Sequence, residues 1–139
     1  MRHNAKQATD SDLATLAAFR YALRRFLRFS EVSAATVGLR SQHYLALLAI
    51  HGYPQRDNVT VGVLAERLQV APNSAVGMAD RLARRGLVAR RRSKRDGREV
   101  CLVLTARGQR KLRQVAALNR GELTKLKAEI IRLLRELGH

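Results

Sequence analysis

Apolar residues recur every three or four positions through Leu13, Leu16, Phe19, Leu23, Phe26 and Phe29, the period of a helix. Ala17, Tyr21, Ala22 and Leu27 widen that stripe, and a face so broad calls for more than one neighbour. Ser11 or Asp10 is placed to cap it. Arg20, Arg24 and Arg28 make a separate stripe at i, i+4 and i+8, which reads as a solvated face. Gly38 ends the pattern. Ser41 then caps a second helix that runs to Gly52, and the punctuation of Gly52-Tyr53-Pro54 marks a loop. Thr60 caps a third helix with Leu64 and Leu68 inward. After a tight turn at Gln69-Val70-Ala71, Pro72 suits the first position of a fourth helix reaching Arg85. Val76, Ala79, Leu82 and Ala83 give this helix its expected buried face, and Gly86 is a left-handed stop.

Beyond Gly86 the period changes. Leu87–Arg92 and Glu99–Leu104 read as two strands, joined by Ser93-Lys94-Arg95-Asp96-Gly97-Arg98. The Asp96-Gly97 pair makes the tip tight and aims Arg95 and Arg98 outward. Thr105 caps a long fifth helix, which Gly121 is expected to interrupt. In the last segment Leu123, Leu126, Ile130, Leu133 and Leu137 are spaced three and four apart, with Ile131 and Leu134 beside them. That is a seam for another helix. Paired with the broad first helix, it predicts that the two ends of the chain dimerise together, the alternative being that both ends cover their own domain.

Charge gives this pattern a partner. The 139-residue chain has a formal net charge of +16, and such self-repulsion points to a polyanion. The charge is also focused. Nine of the 27 Lys and Arg fall within the 18 positions from Arg81 to Arg98, with Asp96 the one acid near the tip. A helix sized for a major groove, followed by a cationic hairpin, is the geometry of a winged helix-turn-helix. On the fourth helix Asn73, Ser74, Gly77 and Arg81 lie on or near the outer face, where Asn can bond adenine and Ser a phosphate or base edge. Asn73 and Ser74 could equally serve as helix-capping residues. Arg84, Arg90, Arg91, Arg92 and Lys94 are expected at the DNA backbone, and Arg95 and Arg98 in the minor groove.

The expected fold is therefore mainly α, with five to six helices and a two- to three-stranded β wing. A single domain spans 1–139, with dimerisation helices over 11–37 and 105–137 and the winged-helix DNA-binding region over 41–104. Double-stranded DNA and a second copy of the chain are the expected partners. An architectural protein that coats DNA with little sequence preference is the alternative, favoured by the charge and by Gly77. No paired carboxylates, phosphate loop or nucleophile–base set suggests an enzyme or a cofactor. The single cysteine, Cys101, excludes an intramolecular disulfide. With neither a signal-peptide run nor an apolar stretch of membrane length, the expected location is the cytoplasm, with no membrane partner.

The segment LAERLQVAPNSAVGMADRLARRGLVARRRSKRDGREVCLVLTARG resembles the MarR-type transcriptional regulators, and the likeness extends from the first helix to the last. Leu64-Ala65-Glu66, Asp80-Arg81-Leu82, Arg85-Gly86-Leu87-Val88, Asp96-Gly97-Arg98 and Leu104-Thr105 followed by Gly108 carry it together. The resemblance implies a dimer on a short palindrome, usually a repressor of a neighbouring operon. Many relatives release DNA on binding a small phenolic or anionic ligand, or on oxidation. By the same resemblance Arg98 matches the wing arginine and Asp96 its accompanying acid, with Asp80 a second candidate partner for Arg98. Gly77 stands where relatives often carry a polar or basic residue. No cysteine lies near the first helix, so Cys101 reads as a buried, inert thiol. His43 and His51 are eight apart on one helix, which argues against a metal site. The resemblance places a small-molecule effector between the first, second and fifth helices. Tyr21, Arg25, His43 and Tyr44 are the candidate residues and an aromatic carboxylate the candidate ligand, the alternative being an ordinary core histidine and core tyrosines.

Overall fold

The structure, a computed structural model, describes residues 6–93 and 96–137. Lys94 and Arg95, expected at the hairpin tip, lie outside the described residues. In chain order the elements are α1 (Asp10–Thr36), α2 (Ser41–His51), a 3-10 turn (Arg56–Asn58), α3 (Val61–Leu68), α4 (Pro72–Arg84), β1 (Val88–Arg92), β2 (Val100–Leu104) and α5 (Ala106–Glu136). The two strands pair antiparallel, Val88 opposite Leu104 and Arg92 opposite Val100. One backbone bond extends this sheet, from Leu102 N–H to the Val59 carbonyl at 2.8 Å. The architecture is the mainly helical winged helix that the pattern predicts.

The core is aliphatic. Leu47 and Ile50 of α2, Leu64 of α3, Leu82 of α4, Leu87 and Leu102 of the hairpin and Val115 of α5 form its centre. Local rules set most boundaries. The Thr60 hydroxyl accepts from Val63 N–H, and the Thr105 hydroxyl accepts from Gly108 N–H, each a side-chain N-cap. Gly86 adopts φ +71°, the left-handed conformation that ends α4. Gln69 also turns left-handed, φ 54°, to close α3 tightly against the start of α4. Its strain, on the order of 1 kcal/mol for a residue with a Cβ, is opposed by bonds from Gln69 and Val70 N–H to the end of α3.

Four expectations are corrected. Thr9 caps α1, in place of Ser11 or Asp10, because it forms a reciprocal capping box with Asp12. Ser41 is the first residue of α2, whose N-cap is Arg40, without a side-chain bond. The buried face of α4 is Ala75, Met78, Ala79 and Leu82; Val76 is 47% exposed, one position round the helix from the Ala75–Ala79–Leu82 line. Gly121 does not interrupt α5. It is exposed on a helix whose flanking positions Leu112, Val115, Leu126 and Leu133 are buried, and that burial outweighs the roughly 1 kcal/mol cost of a helical glycine.

Helices α1 and α5 pack antiparallel. The Thr15 hydroxyl bonds Glu136 at one end, and the Lys111 ammonium bonds the Val37 carbonyl at the other. Leu126 and Leu133 of the predicted seam are buried within the chain itself. Leu13, Leu16 and Leu27 of α1 and Leu123, Ile131 and Leu134 of α5 stay exposed, Leu27 and Leu134 by about half. No helix among the described residues is long and apolar enough to cross a membrane.

Candidate nucleic-acid interface

The first turn of α4 is open. Its N-cap is Ala71, with no side-chain capping bond, so neither Asn73 nor Ser74 acts as the cap. Both are exposed, and with Gly77, Arg81 and the α2 residues Gln42 and Leu45 they line a cleft of about 470 Å³. The Arg81 guanidinium lies over Gly77, 3.3 Å from where a Cβ would stand, so the missing side chain gives the arginine its room. Among the described residues no acid lies within ion-pair distance of Arg81, Arg84 or Arg98. Gln42 and Leu45 escaped the sequence reading. Their signal is weak: one Gln and one Leu among the many apolar residues of α2, with nothing in the pattern to set them apart.

The hairpin uses its charges differently. Strand residues alternate between sheet faces. Arg90 reaches α4 and pairs with Asp80, both partly exposed. Arg92 donates to the Gly97 carbonyl at 2.8 Å and so closes the tip. The Asp96 carboxylate accepts from Arg98 N–H at 3.0 Å, an Asx-type turn that fixes the backbone and leaves the Arg98 guanidinium free to point outward. The two candidate carboxylates thus take different arginines, and neither holds the Arg98 side chain. Ser93, missed by the sequence reading, anchors the tip. It is buried, its hydroxyl donates to Asn58 at 3.1 Å, and it accepts from Asp96 N–H. Arg91 faces the other way, toward Arg113 and the 3-10 turn.

At its base the hairpin is locked to α5. The Thr105 hydroxyl donates to the Gly86 carbonyl at 2.7 Å, and Thr105 N–H donates to the Leu87 carbonyl. A Cβ on Gly108 would stand 2.1 Å from that Leu87 oxygen, so only glycine fits. Arg85, at the end of α4, donates to the Gly38 carbonyl at 3.1 Å and lies 3.4 Å from His43 Nδ1. Burial first, then Arg85, Arg40 and Arg81, holds His43 below the ordinary histidine value. Cys101 is buried, and burial raises its thiol pKa, as an inert thiol requires.

The four candidate effector residues are not brought together. Tyr44 lines an apolar cleft of about 680 Å³ between α1, α2 and α5, with Phe26, Leu48, Leu123 and Ile131. His43 turns away to Arg85. Tyr21 and Arg25 lie on the outer side of α1, the guanidinium 5.5 Å from the ring centre. The helical angle of roughly 100° per residue separates them from Phe26 and Ser30, which do face the cleft. Asn119, which the sequence reading passed over, is buried in this wall, and neither side-chain amide atom has a hydrogen-bond partner among the described residues. It occupies a core position in the line Leu112, Val115, Asn119, Leu126, so a polar residue in an apolar stripe was the available signal.

Residues 37–99 match the family model described as MarR family. Over 73 residues the chain is 38% identical to the HTH-type transcriptional repressor MdtR of Bacillus subtilis, covering 52% of this chain and 44% of that protein. The match thus spans less than half the length of that relative. A MarR family protein from Bacillus stearothermophilus shares the fold at a TM-score of 0.74, with 24% identity over 94% of this chain and 96% of the other. RV1404 from Mycobacterium tuberculosis has a TM-score of 0.71, with 26% identity over 88% of this chain and 82% of that one. Over residues 37–99 the chain is thus similar to the MarR family, and over most of its length it shares the fold of these solved structures.

Proposed function

We propose that the chain is a sequence-specific regulator of transcription that binds double-stranded DNA as a homodimer, on a palindromic operator, as a repressor. The observation that carries this reading is the exposed first turn of α4, without a side-chain cap, beside a hairpin in which Arg98 has no acid partner among the described residues. Asn73 and Ser74 meet base edges, and Arg81 and Arg84 meet phosphates. Arg98 enters a minor groove. The relative MdtR is named a transcriptional repressor, which supports the sign of regulation. The exposed leucines of α1 and α5 support a two-fold partner, since a monomer gains nothing by leaving such a face in water.

Fluorescence anisotropy with a duplex from upstream of the gene, against shuffled DNA, tests the reading. The palindrome is expected to bind at least about a thousandfold more tightly than the shuffled duplex. A dimer neutralising ~8 phosphates gives a slope of log affinity on log salt near −7, and a slope shallower than about −3 removes the electrostatic part. An affinity ratio near one would instead support a DNA-coating protein.

The apolar cleft carrying Tyr44 and Asn119 is the effector site in this reading. An aromatic ligand with one polar group fills the cavity and partners the Asn119 amide. Titration calorimetry with salicylate tests it. Heat that is lost in Asn119→Leu supports the site, and no heat at millimolar ligand removes it.

A further inference from the structure

A second group of cations gathers on the sheet face opposite α4. Two adjoining depressions, of about 300 and 490 Å³, share Arg91 of β1 and Arg113 of α5 as a common wall. Arg56 of the 3-10 turn lines the first and Arg110 of α5 the second. Four arginines from three separate elements thus line the two depressions, with Arg91 and Arg113 shared by both. Asp57 is the acid there, and among the described residues it makes no ion pair with any of them. Arg56 is held in place by its Nε–H, which donates to the His51 carbonyl at 2.9 Å. His51 lines the same recess, and its pKa is lowered by burial first and then by Arg56 and Arg113.

Like charges brought together without a counter-charge repel, and a bound polyanion removes that cost. The smaller recess is lined mainly by polar surface, and guanidinium groups match phosphate oxygens in pairs. It opens away from α4, because Arg91 and Arg90 point to opposite faces of β1 and Arg90 is the one that meets α4. Arg91, expected at the DNA backbone, lies on the sheet face turned away from α4. We propose that the recess between β1, α5 and the 3-10 turn is a binding site for a small phosphate-bearing polyanion, held by Arg56, Arg91, Arg110 and Arg113. It is separate from the helix proposed to read DNA and from the apolar effector cleft, and it does not depend on either.

Titration calorimetry of the full chain with sodium tripolyphosphate, at fixed ionic strength, tests the proposal. One ion is expected to bind per chain. Arg91→Ala/Arg113→Ala should weaken it by about tenfold or more, since each charged hydrogen bond lost is worth upwards of 1 kcal/mol. Both side chains are exposed, and circular dichroism verifies that the variant is folded. Arg20→Ala/Arg24→Ala removes the same charge from the outer side of α1 and should leave the affinity within about twofold. Absence of saturable binding at millimolar tripolyphosphate overturns the site. So does equal weakening by the two double variants, which would mean bulk attraction to a basic surface. A third overturning result is that Arg91→Ala/Arg113→Ala keeps its tripolyphosphate affinity while losing duplex affinity, which would give the recess to DNA phosphates instead.

Discussion

Helix α4 and the hairpin after it both carry arginine, yet they hold it in opposite ways. Among the described residues Arg81 and Arg84 on α4 have no acid partner, and the N-cap of that helix, Ala71, makes no side-chain capping bond. On the hairpin Arg90 is tied to Asp80 and Arg92 to the Gly97 carbonyl, and Arg98 alone of the described tip residues keeps a free guanidinium. A helix is rigid by virtue of its own backbone, so its side chains are left for a ligand. A two-stranded ribbon is marginal in water, and this one uses two of its own cations and an aspartate to hold its shape. Local charge density therefore does not tell which arginines are already engaged within the chain. Locating each guanidinium separates those that bind from those that build.

The comparison breaks first where the hairpin joins α5. Gly108→Ala drives a Cβ into the Leu87 carbonyl, a backbone atom that cannot swing aside. The expected loss is about 3 kcal/mol of stability, as for severe overpacking. Thermal unfolding should show it as a fall in Tm of roughly 10 °C. An unchanged Tm would mean that the hairpin is not anchored there, and that its rigidity has another source.

Arg98→Ala comes next. The Asx bond at the tip uses the Arg98 backbone N–H, not its side chain, so truncation leaves the turn intact. Duplex affinity should fall by about 2 kcal/mol, near thirtyfold, at constant Tm. A matching loss of stability would show that the side chain builds the tip rather than serving a ligand.

Acid tests the C-terminal end of α4. His43 sits 3.4 Å from Arg85 and is held below the ordinary histidine value of 6.5 by burial first and Arg85 second. The unfolded chain takes up its proton near 6.5 and the folded chain only at lower pH. Stability is therefore complete above that value and is lost as pH falls through the window beneath it. His51 is lowered as well and contributes in the same direction. His43→Gln should flatten part of the decline in urea midpoint between about pH 7 and pH 5. A decline of full size in the variant would assign it all to other groups.

What the sequence disclosed about these regions divides along the same line. Thr60, Thr105, Pro72 and Gly86 obey local rules, and each sits at the helix boundary it marks. Partner choice was not legible. Asp80 and Asp96 both looked fit for Arg98, and only the register of β1 against α4 assigns Arg90 to Asp80. The continuity of α5 through Gly121 was hidden for a related reason, since α1 stabilises it from outside its own sequence. The four supposed effector residues parted because nearness along a helix is not nearness around it.

The smallest effect is the sharpest test of the division between binding and building. Asp80→Asn keeps the size of the side chain while removing the charge that engages Arg90. Both groups are partly exposed, so the pair contributes no more than about 1 kcal/mol to stability. The lost carboxylate also removes a repulsive charge from the face of α4. If Arg90 only braces the hairpin, duplex affinity should rise by about two- to fivefold as Arg90 and the surface potential turn toward phosphate. If the ion pair instead sets the angle of the hairpin against α4, affinity should fall and Arg98→Ala should then cost less in the Asp80→Asn background than alone. The sign of that one change, read in a double-mutant cycle, decides whether the hairpin is a brace for the helix or a second hand on the duplex.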